Sequence, residues 1–490
     1  MATARDQLLG SLASRGDRLA LVQDETRWTY AQLDAAMRSW GRELRDAGVG
    51  RGDRVAVLAP SSPQLIAAML GTYAIGAIWV PINNRYRAAE VGHILEDAGP
   101  SLLLCDPGLR GAVPATNTVA VRGLEDRPAA TLDIVPLPDD APAMLVYTSG
   151  TTGRSKGATL SHAAIVEGIA ALTGLWGWSQ EDVLSLQLPL FHVHGLCIGV
   201  HGSLLAGMSM LVHARFSARA VVDDIAQHGA SVFMGVPTMY TRLLAHLDAN
   251  PSDAASLRAA RLFTAGSAAL PAADLEAFER HTGHRILERY GMSETLITFS
   301  NPLAGERRPG SVGREVPGVR SRIVDENGAE LGAGVVGELQ VQSPAMMTDY
   351  WNNPEATAAS FDGPWFRTGD VVERDEDGYV RIVGRMSVDI IKSGGFKISA
   401  REIEEALLLH PAVAEVAVVG LPDETWGERI EAVVVLAQPL SDAEATLVAH
   451  AAASLADYKK PRAVHVVDAL PRNALGKLQK VALKHQLLAT

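Results

Sequence analysis

Cysteine is scarce in this chain: Cys105 and Cys197 are the only two in 490 residues. That excludes a disulfide framework and an all-thiolate metal site, and it fits a reducing cytosol. An excess of positive charge is also lacking. Lys and Arg number 44 against 56 Asp and Glu, for a formal net charge of −12. This argues against a nucleic-acid surface and requires any bound polyanion to meet locally placed cations or a metal. The opening residues, Met1 to Asp6, lack the charged-then-apolar plan of a signal peptide. One apolar run, residues 65–82, approaches membrane-span length, but Gly71, Gly76 and Pro81 interrupt it. Ser61-Ser62-Pro63 reads as a helix start, so the run is expected to be a buried helix that turns into a strand at residues 77–80. A soluble, cytoplasmic protein with no membrane and no nucleic-acid partner is the expectation.

The chain exceeds the length at which a single core keeps growing, so at least two domains are expected. Up to about residue 317 it alternates strand and helix patterns. Strand candidates are residues 55–58, 102–104, 144–146, 210–212 and 231–234, and residues 31–47 and 218–227 have helical period. Such alternation predicts parallel sheets covered by helices. From about Gly318 short strands with Asp/Gly turns take over (321–324, 337–341, 379–383), which predicts a small β-rich unit. Mixed α and β segments follow Arg385. The expected architecture is α/β: a large N-terminal domain of helix-covered, mostly parallel sheets with a small β-rich subdomain over residues 1–385, and a small mobile α+β domain over residues 386–490.

The densest chemical signal is Tyr147-Thr148-Ser149-Gly150-Thr151-Thr152-Gly153-Arg154-Ser155-Lys156-Gly157. Glycines and hydroxyls at the end of a strand can wrap a polyphosphate, and Lys156 adds a positive charge. No Gly-Lys-Ser/Thr triplet closes the loop, so it is not a Walker A loop. Glu288-Arg289-Tyr290-Gly291-Met292-Ser293-Glu294-Thr295 combines a cation, an aromatic plane, a glycine break and a carboxylate suited to Mg²⁺ beside phosphates. His192 and His194 stand two apart between apolar flanks; they could be a metal pair, but no third ligand type clusters nearby. Gly266-Ser267-Ala268 ends a strand with small residues that admit a flat ligand. Thr368-Gly369-Asp370 offers a carboxylate on a tight turn for a sugar diol. Glycines around Arg385 and at Ser393-Gly394-Gly395 suit a hinge, and Gly476-Lys477 puts a lysine on a loop near the end of the chain.

Taken in this order, the motifs resemble the adenylate-forming acyl-CoA synthetases over essentially the whole chain, most closely the malonyl-CoA and methylmalonyl-CoA synthetase branch. The resemblance implies two half-reactions: a carboxylate and ATP give acyl-AMP and pyrophosphate, and the thiol of CoA then displaces AMP. It implies that Thr148, Ser149, Gly150, Thr151, Thr152, Gly153 and Lys156 hold phosphates and that Glu294, with Thr148, holds Mg²⁺. Gly266, Ser267, Ala268, Glu288, Tyr290, Gly291, Met292 and Ser293 would surround the nucleotide, and Asp370 and Arg385 would bind its ribose. Lys477 would act on the carboxylate and α-phosphate oxygens during adenylation. A rotation of the small domain would then bring Ser393, Gly394 and Gly395 to the CoA tunnel, with His192 as its gate.

Arg289 stands where many relatives carry a small or neutral residue opening on the acyl pocket. A buried arginine there would want an anion, which implies a dicarboxylic acid with its second carboxylate on Arg289. The alternative is that Arg289 pairs with Glu288 or Asp370. Val193, Ser267 and Ile297 would line the acid beside His192, and Phe299 is bulky for a malonate pocket. Ser155 replaces the proline of much of the family, and Ser387 the usual Asp or Lys of the hinge. Other readings are a ligase for a short-chain or aryl monocarboxylate, or an adenylating enzyme that loads a separate acyl carrier protein.

Overall fold

The computed structural model describes residues 3–148, 155–386, 388–393, 396–472 and 478–489. The chain divides into two compact units: Met1–Ser321 with Val341–Phe366, and Arg322–Gln340 with Arg367–Thr490. The boundary expected after Arg385 falls inside the second unit, because the strand Val380–Arg385 pairs with Trp365–Arg374 in register Asp370↔Arg385 to Arg374↔Val380.

The first unit holds two sheets. One runs in the order Ala120–Arg122, Leu102–Cys105, Arg54–Leu58, Ile78–Pro81, Pro142–Thr148, Lys156–Ser161. Its pairs are parallel except the last, where Pro142–Thr148 and Lys156–Ser161 run antiparallel. The other runs Arg314–Glu315, Leu296–Ser300, Leu287–Met292, Leu262–Ala265, Val232–Gly235, Val183–Leu186, Ser209–Val212, Leu19–Gln23, Thr26–Thr29, with parallel pairs through its middle. The parallel strands are apolar on both faces, as strands covered by helices must be.

The apolar run at residues 65–82 is a helix, Pro63–Ala74, followed by the strand Ile78–Pro81. Ser62 caps the helix by accepting from Leu65 N, with proline in the first turn. Gly71, expected to interrupt the run, sits mid-helix instead. A Cβ there would lie 2.7 Å from Gly41 N and 2.9 Å from Trp40 Cβ, so the glycine lets Pro63–Ala74 close on Tyr30–Asp46. Filling that contact would cost about 1–3 kcal/mol through overpacking. Among the described residues no helix is long and apolar enough to cross a membrane.

The core of the second unit is the hairpin Val413–Asp423 and Gly427–Leu436. Alternate residues face opposite sides. Val416, Val418, Ile430, Ala432 and Val434 pack with Ile403, Leu407, Leu447 and Ala451 of the helices Ala400–Leu408 and Ala443–Ser454. Ala417, Val419, Leu421 and Val433 pack with Leu470 and with Leu483 of the helix Lys480–Ala489. The hairpin is thus covered on both faces.

A strand, Lys156–Ser161, leads from the phosphate-type loop into the helix His162–Leu175, which Ser161 caps through Ala164 N. One local expectation changes. Thr368-Gly369-Asp370 is not a turn before a strand but lies within Trp365–Arg374. There Gly369 takes φ +69° and the register with Val380–Arg385 shifts just after Val371. A positive φ favours glycine, so a bulged strand uses the same residues a turn would.

Candidate active site

The ends of the phosphate-type loop are fixed by the hairpin that carries it. Thr148 and Lys156 face each other across Pro142–Thr148 and Lys156–Ser161, and an added Cβ on Gly157 would touch the Tyr147 ring at 3.1 Å. Tyr147 donates its hydroxyl hydrogen to Asp97 Oδ2 at 2.6 Å, and His93 Nε2 lies 2.8 Å from the Ser155 carbonyl. Both partners come from the helix Ala88–Ala98. Ser149, Gly150, Thr151, Thr152 and Gly153 lie outside the described residues.

Glu294 is buried at 5 % exposure. Thr148 Oγ1 donates to Glu294 Oε1 at 3.3 Å and Tyr350 Oη donates to the same oxygen at 3.0 Å. The backbone holds this arrangement. Leu287–Met292 pairs with Leu296–Ser300, and a Cβ on Gly291 would lie 1.8 Å from Leu296 O, so only glycine permits the approach. Glu294 O then accepts from Met347 N at 2.7 Å, and Lys156 Nζ sits 4.4 Å from the centre of the Tyr350 ring. One carboxylate, one hydroxyl and one lysine beside a phosphate-type loop fit a Mg²⁺–polyphosphate pair, since Mg²⁺ takes one or two carboxylates and completes its shell with phosphate and water oxygens. Among the described residues no group of three His, Cys, Asp or Glu could hold a metal without such a partner. Tyr350 escaped the sequence reading; its only sequence signal was the aromatic pair Tyr350-Trp351 beside Asp349.

Arg289 lies on Leu287–Met292, 5 % exposed, and its Nε and Nη2 have no hydrogen-bond partner among the described residues. Burial holds its pKa below the ordinary 12.5, at about 10. Both expected partners have bonds of their own. Glu288, its neighbour on the strand, accepts from Gly310 N at 3.0 Å, and Asp370 pairs with Arg385. Gly266 makes the space: a Cβ there would meet the Arg289 Cζ at 2.5 Å. Gly266 is buried, whereas Ser267 and Ala268 are exposed, and Ser267 takes φ +70°, rare for a residue with a side chain.

His194 shares this pocket. It is buried, its Nε2 has no partner among the described residues, and its Nδ1 is 3.5 Å from Ser267 Oγ. Burial, then the charge of Arg289, press its pKa well below the usual histidine range, so the ring is neutral. Of the two histidines the sequence pointed to His192; it is half-buried, lies 4.8 Å from the Phe191 ring, and burial brings its pKa down to about 4. Val193 is half-buried, and Ile297 is buried. Tyr290 is buried too, 6.1 Å from Phe299 with the two rings tilted. Met292 and Ser293 are half-buried at the end of the same strand.

In the second unit Arg385 Nε donates to Asp370 Oδ1 at 2.8 Å. Ser393 is buried on the strand Ile390–Ser393. Gly394, Gly395, Ser387 and Lys477 lie outside the described residues.

Residues 10–351 match the AMP-binding enzyme family, and residues 402–477 match the AMP-binding enzyme C-terminal domain. The chain is 38 % identical to the mitochondrial malonate–CoA ligase of Homo sapiens over 96 % of its own length and 90 % of that protein. It is 38 % identical to the sulfoacetate–CoA ligase of Cupriavidus necator, covering 93 % of this chain and 92 % of the relative. The solved structure of ATP-bound MatB from Rhodopseudomonas palustris superposes with a TM-score of 0.91 at 36 % identity, covering 99 % of both chains.

Proposed function

The chain belongs to the AMP-binding enzyme family and is an AMP-forming acid–CoA ligase, and we propose that its acid is a short dicarboxylate, malonate first. The observation that carries this reading is the buried guanidinium of Arg289, whose Nε and Nη2 have no hydrogen-bond partner among the described residues. A charge withdrawn from water is costly unless it meets a counter-charge, and two parallel hydrogen bonds to a carboxylate are what a planar guanidinium offers best. Malonate supplies that carboxylate at one end and a reacting carboxylate at the other. Among relatives, one takes malonate and one takes sulfoacetate, so both are named for acids with a second anionic group. Neutral His194 offers a further hydrogen-bonding atom in the same pocket. Methylmalonate is the first alternative acid to test.

In this reading Lys156 and Thr148 bind ATP phosphates. Glu294 and Thr148 would hold Mg²⁺, which when bound neutralises phosphate charge. Asp370 and Arg385 take the ribose, and Lys477 meets the oxygens between which the new bond forms. The need for cations is electrostatic, because a carboxylate approaching a polyphosphate meets like charge. Each opposite charge at about 4 Å offsets roughly 4 kcal/mol at an effective dielectric near 20.

The test is CoA-thioester formation with malonate, methylmalonate, acetate, propionate and benzoate in parallel, for wild type and Arg289→Ala. Malonate turnover that collapses in the variant supports the dicarboxylate reading. A preferred monocarboxylate, turned over equally by the variant, would show that Arg289 does not touch substrate.

A further inference from the structure

A second buried cation lies away from the acid pocket. Lys480, 9 % exposed at the start of Lys480–Ala489, places Nζ 2.5 Å from Asp389 Oδ1 and 2.6 Å from Glu404 Oε1. Each carboxylate is bonded in turn to a different element. Asp389 Oδ2 accepts from Arg385 N at 3.0 Å, and Glu404 Oε1 accepts from Val418 N at 2.7 Å. Arg385 is the residue whose side chain pairs with Asp370. The glycine of Gly384-Arg385 belongs to the same arrangement, since a Cβ there would lie 2.6 Å from Asp389 Cβ.

Lys480 follows Lys477 by three residues. The described residues on either side of Lys477 in the chain are tied down. Arg472 and Leu478 form an antiparallel bridge, Gln479 N donates to Pro471 O at 2.8 Å, Arg472 is ion-paired with Glu415, and Leu483 is buried one turn further on. A lysine locked into two carboxylates adds nothing to a fold that an apolar group of similar volume could not match, because desolvating three charges offsets most of their attraction. What such a clamp does supply is geometric register.

We propose that Lys480 is a positioning residue for adenylation: through Asp389 and Glu404 it anchors the start of Lys480–Ala489, three residues after Lys477 in the chain, to the end of the strand that carries Arg385. This rests on the role given above to Lys477. Misplacing a reacting group by about 1 Å costs on the order of a hundredfold in rate, so a clamp of this kind acts on one half-reaction and spares the other.

The experiment separates the half-reactions. Adenylation is followed by pyrophosphate–ATP exchange with the preferred acid of the panel above, and thioester formation by CoA consumption from the chemically prepared adenylate of that acid. The principal variant is the double Lys480→Met/Glu404→Gln, which removes the clamp without leaving two buried carboxylates uncompensated. Exchange is expected to fall about tenfold to a hundredfold while CoA consumption stays within about twofold. Lys480→Arg, which keeps the charge but cannot bring one nitrogen to both carboxylates, should show the same split at smaller size, and it carries the test if the double variant does not fold. Equal losses in both half-reactions, or undiminished exchange in a folded variant, would overturn the proposal. Lys477→Ala distinguishes the two levels. If it retains exchange, the role of Lys477 itself is wrong; if it loses exchange while the Lys480 variants do not, only the clamp is wrong.

Discussion

Arg289 and Lys480 are both cations taken out of water, and they are built in opposite ways. Lys480 meets two carboxylates at 2.5 and 2.6 Å, and its pKa is raised because their attraction outweighs the burial that opposes it. Arg289 meets none among the described residues: two of its nitrogens are without partners there, and burial lowers its pKa to about 10. A buried charge satisfied inside the chain holds the fold in register, whereas one left unsatisfied is poised for a ligand that brings the missing charge. Burial alone does not distinguish the two; the partner list does.

Arg289→Met should lower kcat/KM for malonate by about a thousandfold, the size expected when one member of a desolvated charge pair is removed. The same change should leave the melting temperature of the ligand-free enzyme equal to or above wild type, because it removes an uncompensated buried charge. A variant that loses activity and stability together would mean that Arg289 serves the fold as Lys480 does.

Lys480→Met alone should have the opposite signature in stability, a loss of about 3–5 kcal/mol on denaturant unfolding, since it strands Asp389 and Glu404 without their counter-charge. Unchanged stability would show that the buried triad contributes nothing to the fold.

Acid separates the two units. Burial lowers the pKa of His162 to about 3 and of His192 and His201 to about 4, all in the first unit. Their neutral forms are favoured by the fold. The stability they share is whole above the unfolded value of 6.5 and is lost as pH falls towards 4, at about 1.4 kcal/mol per pKa unit and group. Lys480 has a raised pKa, so its contribution is lost only as pH rises past the ordinary 10.5. Hydrogen exchange between pH 6.5 and 4 should therefore accelerate first in the first unit, and earlier opening of the second would contradict this assignment.

Gly266→Ala probes the space that Arg289 occupies. The new methyl would stand within 3 Å of the guanidinium and must displace it, so the KM for malonate should rise about tenfold through weakened binding. A KM equal to wild type would place the acid elsewhere. The smallest effect is on the wild type itself. Saturating malonate should relieve the charge on Arg289 and raise the melting temperature by a few degrees at neutral pH. Acetate, which has no second carboxylate, should do so less.

Much of this was legible in the residues. Alternation and period located the strands and helices, because apolar spacing is a local property. The Tyr147–Gly157 and Glu288–Thr295 stretches declared themselves because phosphate and metal chemistry needs glycines, hydroxyls and a carboxylate close together along the chain. What was not legible depends on residues far apart. Tyr350 reaches Glu294 across 56 positions, Gly71 exists for a helix that contains Gly41, and Gly384 exists for Asp389. The strand Lys156–Ser161 was missed because its pairing with Pro142–Thr148, not its own composition, makes it a strand.

The sequence by itself determined which chemical groups are present, the order of the motifs and the alternating architecture, since these follow from residue type and local spacing. Only the tertiary structure decided what those groups are free to do. Arg289, Lys480 and Arg385 are alike as residues, each a cationic side chain, and the chain gives no local sign of their different fates. Electrostatic energy depends on which charges come within a few ångströms and on how much water is excluded, and both are set by contacts between distant segments.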